Sequence, residues 1–321
     1  MCGDGTNDVG ALKQAHVGVS IINSPELERR LGGTDLGASQ RHKTRPLGEG
    51  ESHSMANARA ELEEQELDPT LVQLGDASIA SPFTSRRVSI DCVLSIVRQG
   101  RCTLVTTLQV FKILALNCLV TAYMLSSLYL HGVKQGDTQM TILGLVIAAL
   151  FFCTSRAQPL DKLSQKRPPS RIFCPPLCAT VMGQFAVHLA CLYASLRMCE
   201  AHLRADDPSL APDGAFQPNV INTAVFLLSG IVQVMTFFCN YCGHPFMQSL
   251  RDNKPLAYLL AGTYCTLMLA ATELVPVVNR LLQLSPAPSP AFRWKLVGLL
   301  LFDAAGSAGI NALVSLVLGH G

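Results

Sequence analysis

Apolar and polar positions divide the chain into three zones. Residues 1–100 alternate short apolar runs with polar turns. Inside them, residues 24–68 are polar with few apolar interruptions. Residues 101–319 are apolar with regular punctuation. The last zone resolves into six stretches near the ~20 residues that cross a bilayer as a helix, at 104–130, 138–155, 173–196, 219–240, 256–279 and 294–318. Gly and Pro mark the connections, as at Gly132, Gly136, Pro168-Pro169, Pro245 and Pro286. In the first zone, 17–22 and 71–74 predict buried strands. Residues 8–15 predict a short helix. Residues 89–100 predict an amphipathic helix with Ile90, Val93, Leu94 and Val97 on one side. The expected fold is a mostly α membrane protein: six transmembrane helices preceded by a partial α/β piece, the last third of a doubly wound sheet.

Composition agrees. Charged residues are 15% of the chain and apolar residues 49%, against about 25% charged in a typical soluble domain. Lys and Arg number 25 and Asp and Glu 23, so the basic face that nucleic acid requires is missing. The insert at 24–68 cannot bury enough surface to offset its ordering entropy and predicts a disordered loop. A transient acidic helix over 58–67 is expected within it, and a regulatory or partner-binding role is the alternative. Met1-Cys2-Gly3-Asp4 lacks the basic start and apolar core of a signal peptide. Of twelve cysteines, Cys118, Cys153, Cys191 and Cys265 lie inside apolar runs, as small buried hydrophobes do. Cys239 and Cys242 have metal or redox spacing, but no second pair answers them.

Loop charge sets the expected orientation. Arg156, Lys162, Lys166, Arg167 and Arg171 follow the second span, and Arg251 and Lys254 follow the fourth. The loop after the third holds Glu200, Asp206, Asp207 and Asp213. Even-numbered exits and the N-terminal zone are therefore expected on the cytosolic side. Arg280, Arg293 and Lys295 run against this pattern.

Chemistry concentrates at the start, in Met-Cys-Gly-Asp-Gly-Thr-Asn-Asp. Asp4 and Asp8 stand four apart on a tight turn whose glycines let the backbone approach a phosphate. Two close carboxylates repel and favour a divalent cation. Oxygen ligands without His or Cys point to Mg²⁺.

The string Gly3–Leu12 with its continuation Lys13–Val19 resembles the hinge motif of the P-type ATPases, and more broadly the last acidic motif of haloacid-dehalogenase-like phosphotransferases. The resemblance implies that Asp4 coordinates Mg²⁺ beside a phosphorylated aspartate. Asn7 and Asp8 would position the phosphate and metal, with Gly3, Gly5 and Thr6 around them. The family's phosphoacceptor motif, dephosphorylation motif and nucleotide domain do not occur in this sequence. The resemblance thus implies the C-terminal part of a longer pump: residues 1–100 as the end of the phosphorylation domain, residues 101–321 as family helices five to ten. ATP would be bound by the remainder of the ATPase chain. Asn7-Asp8-Val9-Gly10-Ala11-Leu12, without the usual proline, resembles the type-five members. Leu74–Ser78, Pro82–Ser85 and Arg98–Leu104 resemble their A subgroup, in the endoplasmic reticulum. His16 stands where many relatives carry Asp. Residues 100–104, leading into the first span, are expected to act as a mechanical stalk, which Gly100 would soften.

Ion pumps of the family use an acid before Gly-Leu-Pro in helix six; the matching position here is Leu143. An apolar path suits a greasy substrate better than a desolvated cation, which needs several oxygens and compensating charge. The resemblance implies extraction of transmembrane helices, with membrane lipid and apolar segments as partners. Gln109, Asn117, Thr121 and Asp137 are the candidate substrate-facing groups, with helix–helix hydrogen bonding as the alternative for each. Lys112 is expected to snorkel, as is Glu273. Asp303 is expected to pair with Asn311 or a partner helix, and Gln184 and His188 with each other or a neighbour. A divalent-cation pump, for example for manganese, and a non-catalytic membrane fragment that only binds partners are the competing functions.

Overall fold

A computed structural model describes residues 1–3, 6–21, 81–85, 89–169, 171–202 and 216–318. The insert at 24–68 and the expected strand at 71–74 lie outside the described residues. The chain forms two compact units, Met1–Val97 and Arg98–Gly321.

The first unit carries three parallel strands in the order β1-β2-β3: β1 (Cys2–Gly3), β2 (Val19–Ile21) and β3 (Phe83–Ser85). Cys2 pairs with Val19, and Val19 pairs with Phe83. Parallel neighbours need a crossover, and α1 (Val9–Gln14) lies between β1 and β2 with Val9 and Leu12 buried. Strand and helix thus fall within the stretches expected for them. The pairing of β3 was not legible: Phe83 is exposed, so no alternation of apolar residues marks the strand. The helix expected at 89–100 forms, but Ile90 is 72% exposed and Leu94 and Val97 are exposed as well. No described residue covers that apolar face, so amphipathic spacing there did not translate into burial.

Among the described residues, six helices are long and apolar enough to cross a membrane: α2 (Asp91–Leu130), α3 (Asp137–Ser155), α4 (Pro175–Glu200), α5 (Val220–Asn240), α6 (Lys254–Thr272) and α8 (Pro290–Leu318). A short helix, α7 (Pro276–Leu281), separates the last two. The expected span 256–279 is cut short at Thr272. Glu273 adopts a left-handed conformation with φ 56°. Its carboxylate accepts the Ala287 N–H at 2.6 Å and pairs with Arg293 at 3.1 Å, which stops the helix. Arg293, contrary to the loop-charge pattern, is therefore neutralised locally. Ser289 caps α8, accepting from Phe292 N–H, and Pro290 takes the first helical position.

α5 is apolar all round and almost wholly buried, with α4, α6 and α8 packed on it. The α4–α8 contact depends on reciprocal small residues. A Cβ at Gly183 would lie 2.7 Å from Ile310 Cγ2, and one at Gly306 would lie 2.8 Å from Val187 Cγ1. Each glycine faces a branched side chain one turn from the other glycine, so the backbones approach closely.

Side-chain bonds sort the loops into two ends. At one end, Arg98 on α2 donates to Leu160 O at 2.8 Å, and Arg101 to Ser164 O at 2.5 Å. Gln248 N–H donates to Gln158 O, and Asn253 reaches Cys153 O. At the other end, His131 meets Glu200 at 3.0 Å, Asn222 donates to Lys134 O, and Gln139 donates to Leu282 O. The basic loops after the second and fourth spans thus share an end with the start of α2.

Gly183→Val is expected to lower the melting temperature in detergent, overpacking costing about 1–3 kcal/mol, with Ile310→Ala restoring part of the loss. The Glu200 carboxylate, through its hydrogen bond, holds the His131 imidazole above its ordinary pKa of 6.5. A raised folded pKa gives stability that is complete below 6.5 and lost as pH rises through the folded value. Thermal unfolding followed from acid to alkaline pH should show this loss, and Glu200→Gln should flatten it.

Candidate functional site

The opening motif is built by the first strand–helix unit. β1 ends at Gly3, and a 3-10 turn, Thr6–Asp8, leads into α1. Gly3 is buried, and its backbone lies directly against Asp8. A Cβ at Gly3 would stand 2.5 Å from both Asp8 Cβ and Asp8 Oδ2, closer than real Cβ atoms come. The missing side chain is therefore what lets the Asp8 carboxylate rest on the end of the strand. Asp8 is half-buried and occupies the N-cap of α1 without a side-chain capping bond. Asn7, exposed, precedes it. Asp4, Gly5 and the side chain of Thr6 lie outside the described residues. Of the six expected residues, then, Gly3 and Asp8 are brought together and Asn7 adjoins them. The Asp8 carboxylate and the neighbouring Asn7 amide are hard oxygen donors of the kind that suits Mg²⁺.

The candidate membrane residues separate. Gln109, Asn117 and Thr121 recur at intervals of eight and four along α2, so they share one side of it. Gln109 is 1% exposed, and its Oε1 accepts the Cys242 N–H at 2.9 Å. Among the described residues, its Nε2 has no partner, and neither does the buried Asn117 Oδ1. Asp137 is exposed in the first turn of α3, beyond the far end of α2. About 30 Å of helix separates it from Gln109, so the four do not converge. Lys112 is half-buried, at the Gln109 end of α2.

Of the two expected partners of Asp303, a neighbouring helix supplies the one found. Asn311 does not reach it; the Asn311 amide donates to Cys239 O. Asp303 instead meets His188 Nδ1 at 2.8 Å, both side chains fully buried. Gln184 accepts from Asn240 at 2.9 Å rather than bonding to His188. Each group takes one bond from a neighbouring helix, while among the described residues Gln184 Nε2, His188 Nε2 and Asp303 Oδ2 have no partner. Glu273 is tied into the loop before α8 rather than extending to solvent. The clamps made by Arg98 and Arg101 were also missed. Two arginines one turn apart at the start of an apolar helix were the available signal, but only the fold names the carbonyls they reach.

No family model matches the chain. Among curated proteins, the probable manganese-transporting ATPase PDR2 of Arabidopsis thaliana is 44% identical over 323 residues, covering 90% of this chain and 27% of that protein. The endoplasmic reticulum transmembrane helix translocase of Saccharomyces cerevisiae is 36% identical over 97% of this chain and 31% of that protein. Its counterpart in Schizosaccharomyces pombe is 38% identical over 88% of this chain and 29% of its own length. The chain belongs to the P-type ATPases, type-five A subgroup. It spans less than a third of the length of these relatives. With its six apolar helices, this type-five ATPase chain is a multi-pass membrane protein.

Removing one partner of a buried hydrogen bond leaves the other unsatisfied, at a cost of about 1–3 kcal/mol. His188→Ala in the type-five ATPase should therefore lower the detergent melting temperature strongly. The double change His188→Leu with Asp303→Leu should be milder than either single truncation, read from the same melting curves.

Proposed function

We propose that this chain supplies the magnesium-binding turn, the force-carrying helix and six membrane helices of an ATP-driven translocase of the endoplasmic reticulum membrane. Its substrate is the apolar transmembrane segment of another protein. The observation that carries the reading is the composition of the first two spans. α2 has no acidic residue after Asp91, and α3 has none after Asp137 in its first turn. A cation stripped of water needs several oxygens and negative charge, whereas an apolar helix needs neither. The names of the two yeast relatives support the same substrate class.

The residues divide the work. Asp4 and Asp8 hold the metal, and Asn7 orients the phosphoryl group. Mg²⁺, when bound, neutralises charge on that group. Gly3 keeps the Asp8 carboxylate seated on the strand end. α2 runs unbroken for 40 residues, about 60 Å, twice the ~30 Å hydrocarbon core, and Arg98 and Arg101 fasten it to the loop after α3. Movement imposed at its start is thereby passed to that loop as well as along the helix. Gly100 lies within the continuous helix, and a Cβ there would meet nothing within 4 Å. Asn117 and Thr121 are the groups of α2 offered to substrate; Gln109 is engaged by Cys242.

Manganese transport is the second reading, favoured by the name of the Arabidopsis relative. Among the described residues, no three His, Cys, Asp or Glu side chains gather as a metal site.

The test is photocrosslinking of the full-length ATPase, reconstituted in vesicles, to a labelled apolar transmembrane peptide. ATP should release the peptide from the wild type. Asp4→Asn should retain the peptide and lose turnover. Turnover stimulated by Mn²⁺ and indifferent to peptide would replace this reading with the second. Gly3→Ala should reduce turnover about 10–100-fold by displacing the Asp8 carboxylate, with an unchanged melting temperature of the membrane helices.

A further inference from the structure

Where α2 meets the basic loops, the second unit encloses a cavity of about 380 Å³. That volume is within the range of small-ligand pockets, about 300–1,000 Å³. Its polar wall is Gln109, Lys112, Lys166, Arg167 and His244; its apolar wall includes Val105, Leu108, Leu177 and Phe246. None of its lining residues is acidic. The wall is also constructed rather than incidental. Arg101 binds Ser164 O and, at 3.1 Å, Lys166 O, which presents the Lys166–Arg167 segment to the cavity. Gln109 Oε1 holds the Cys242 N–H, and Met247 is wholly buried beside Thr106, which fixes the segment carrying His244 and Phe246.

The floor contains an unmet donor. Gln109 is 1% exposed, and its Nε2 has no partner. A buried amide N–H left unsatisfied is costly, and its natural complement is an acceptor. Lysine and arginine side chains around it make that acceptor anionic. The remaining wall is hydrocarbon, supplied by Leu108 and Val105 of α2 and Leu177 of α4, two of the helices that cross the membrane. A free anion would leave this apolar half unfilled, and a neutral lipid would leave the cations and Gln109 unmatched.

We infer that this cavity binds an anionic glycerophospholipid. The phosphate accepts from Gln109 Nε2 and is flanked by Lys112 and Arg167, and the acyl chains run along Val105, Leu108 and Leu177. Because Gln109 also holds the Cys242 N–H and the cavity is lined by both α2 and α4, a seated lipid bridges these two helices. The site is distinct from the magnesium turn and from Asn117 and Thr121.

The test uses the full-length ATPase purified in neutral detergent and probed with phosphatidylserine, phosphatidic acid, phosphatidylcholine or soluble glycerol phosphate. The readouts are native mass spectrometry and thermal shift, neither of which depends on turnover or on the identity of the transported substrate. The two anionic lipids should stay bound and raise the melting temperature; phosphatidylcholine should do neither. Lys112→Gln should weaken retention roughly tenfold. Gln109→Glu preserves the oxygen that accepts from Cys242 and replaces the donor with an acceptor, so it should lose anionic lipid; Lys112→Gln, which touches no fastening bond, keeps the test readable if the buried carboxylate lowers the melting temperature. Equal retention by these variants would overturn the site. Glycerol phosphate binding as tightly as the lipids would overturn the lipid assignment. Displacement of bound lipid by neither anionic lipid nor phosphate, but by an apolar peptide with an acidic end, would assign the cavity to protein instead.

Discussion

The membrane unit depends on one helix being fastened at its end by polar side chains. Arg98, Arg101 and Gln109 lie on a single continuous helix and bind backbone groups of two different loops. Those loops carry main-chain groups that no helix satisfies, and a buried main-chain group must find a partner. α2 provides partners for the carbonyls of Leu160, Ser164 and Lys166 and for the Cys242 N–H. The cavity next to Gln109 is a consequence of the same fastening. A helix of Leu, Val and Ile alone would have no means of ordering these loops.

A second rule governs the bundle interior. Three buried polar contacts run across helices, and they join elements distant in sequence. His188 and Asp303 join α4 to α8, Gln184 and Asn240 join α4 to α5, and Asn311 joins α8 to the end of α5. The glycines at 183 and 306 allow the approach that brings the first of these pairs within reach. Hydrocarbon packing gives little directional preference, since one apolar side chain resembles another. The polar pairs and small residues select one rotation of each helix about its axis.

The opening turn and the membrane helices differ in chemistry. At the turn, backbone closeness is the essential quantity, and Gly3 supplies it by omission. In the first two spans, no carboxylate follows the first turns. The proposed function rests on this contrast.

Much of this was legible in the amino-acid order. Spans of about twenty apolar residues, the α/β pieces at 8–15 and 17–22, and the acidic turn follow from local rules of hydrophobic periodicity and turn chemistry, which act over a few residues. Contacts between distant residues were not legible. The sequence could not show that Phe83–Ser85 adds a strand, that Glu273 stops α6 by binding Ala287 and Arg293, or that Asp303 chooses His188 over Asn311. Nor could it show that Ile90 and Leu94 point outward. Each of these depends on which surface another element covers. Local pattern determined the kind of element and its approximate length, because a backbone in or beside hydrocarbon must satisfy its own hydrogen bonds. Tertiary packing decided the partners, because only proximity in space determines which buried donor meets which acceptor.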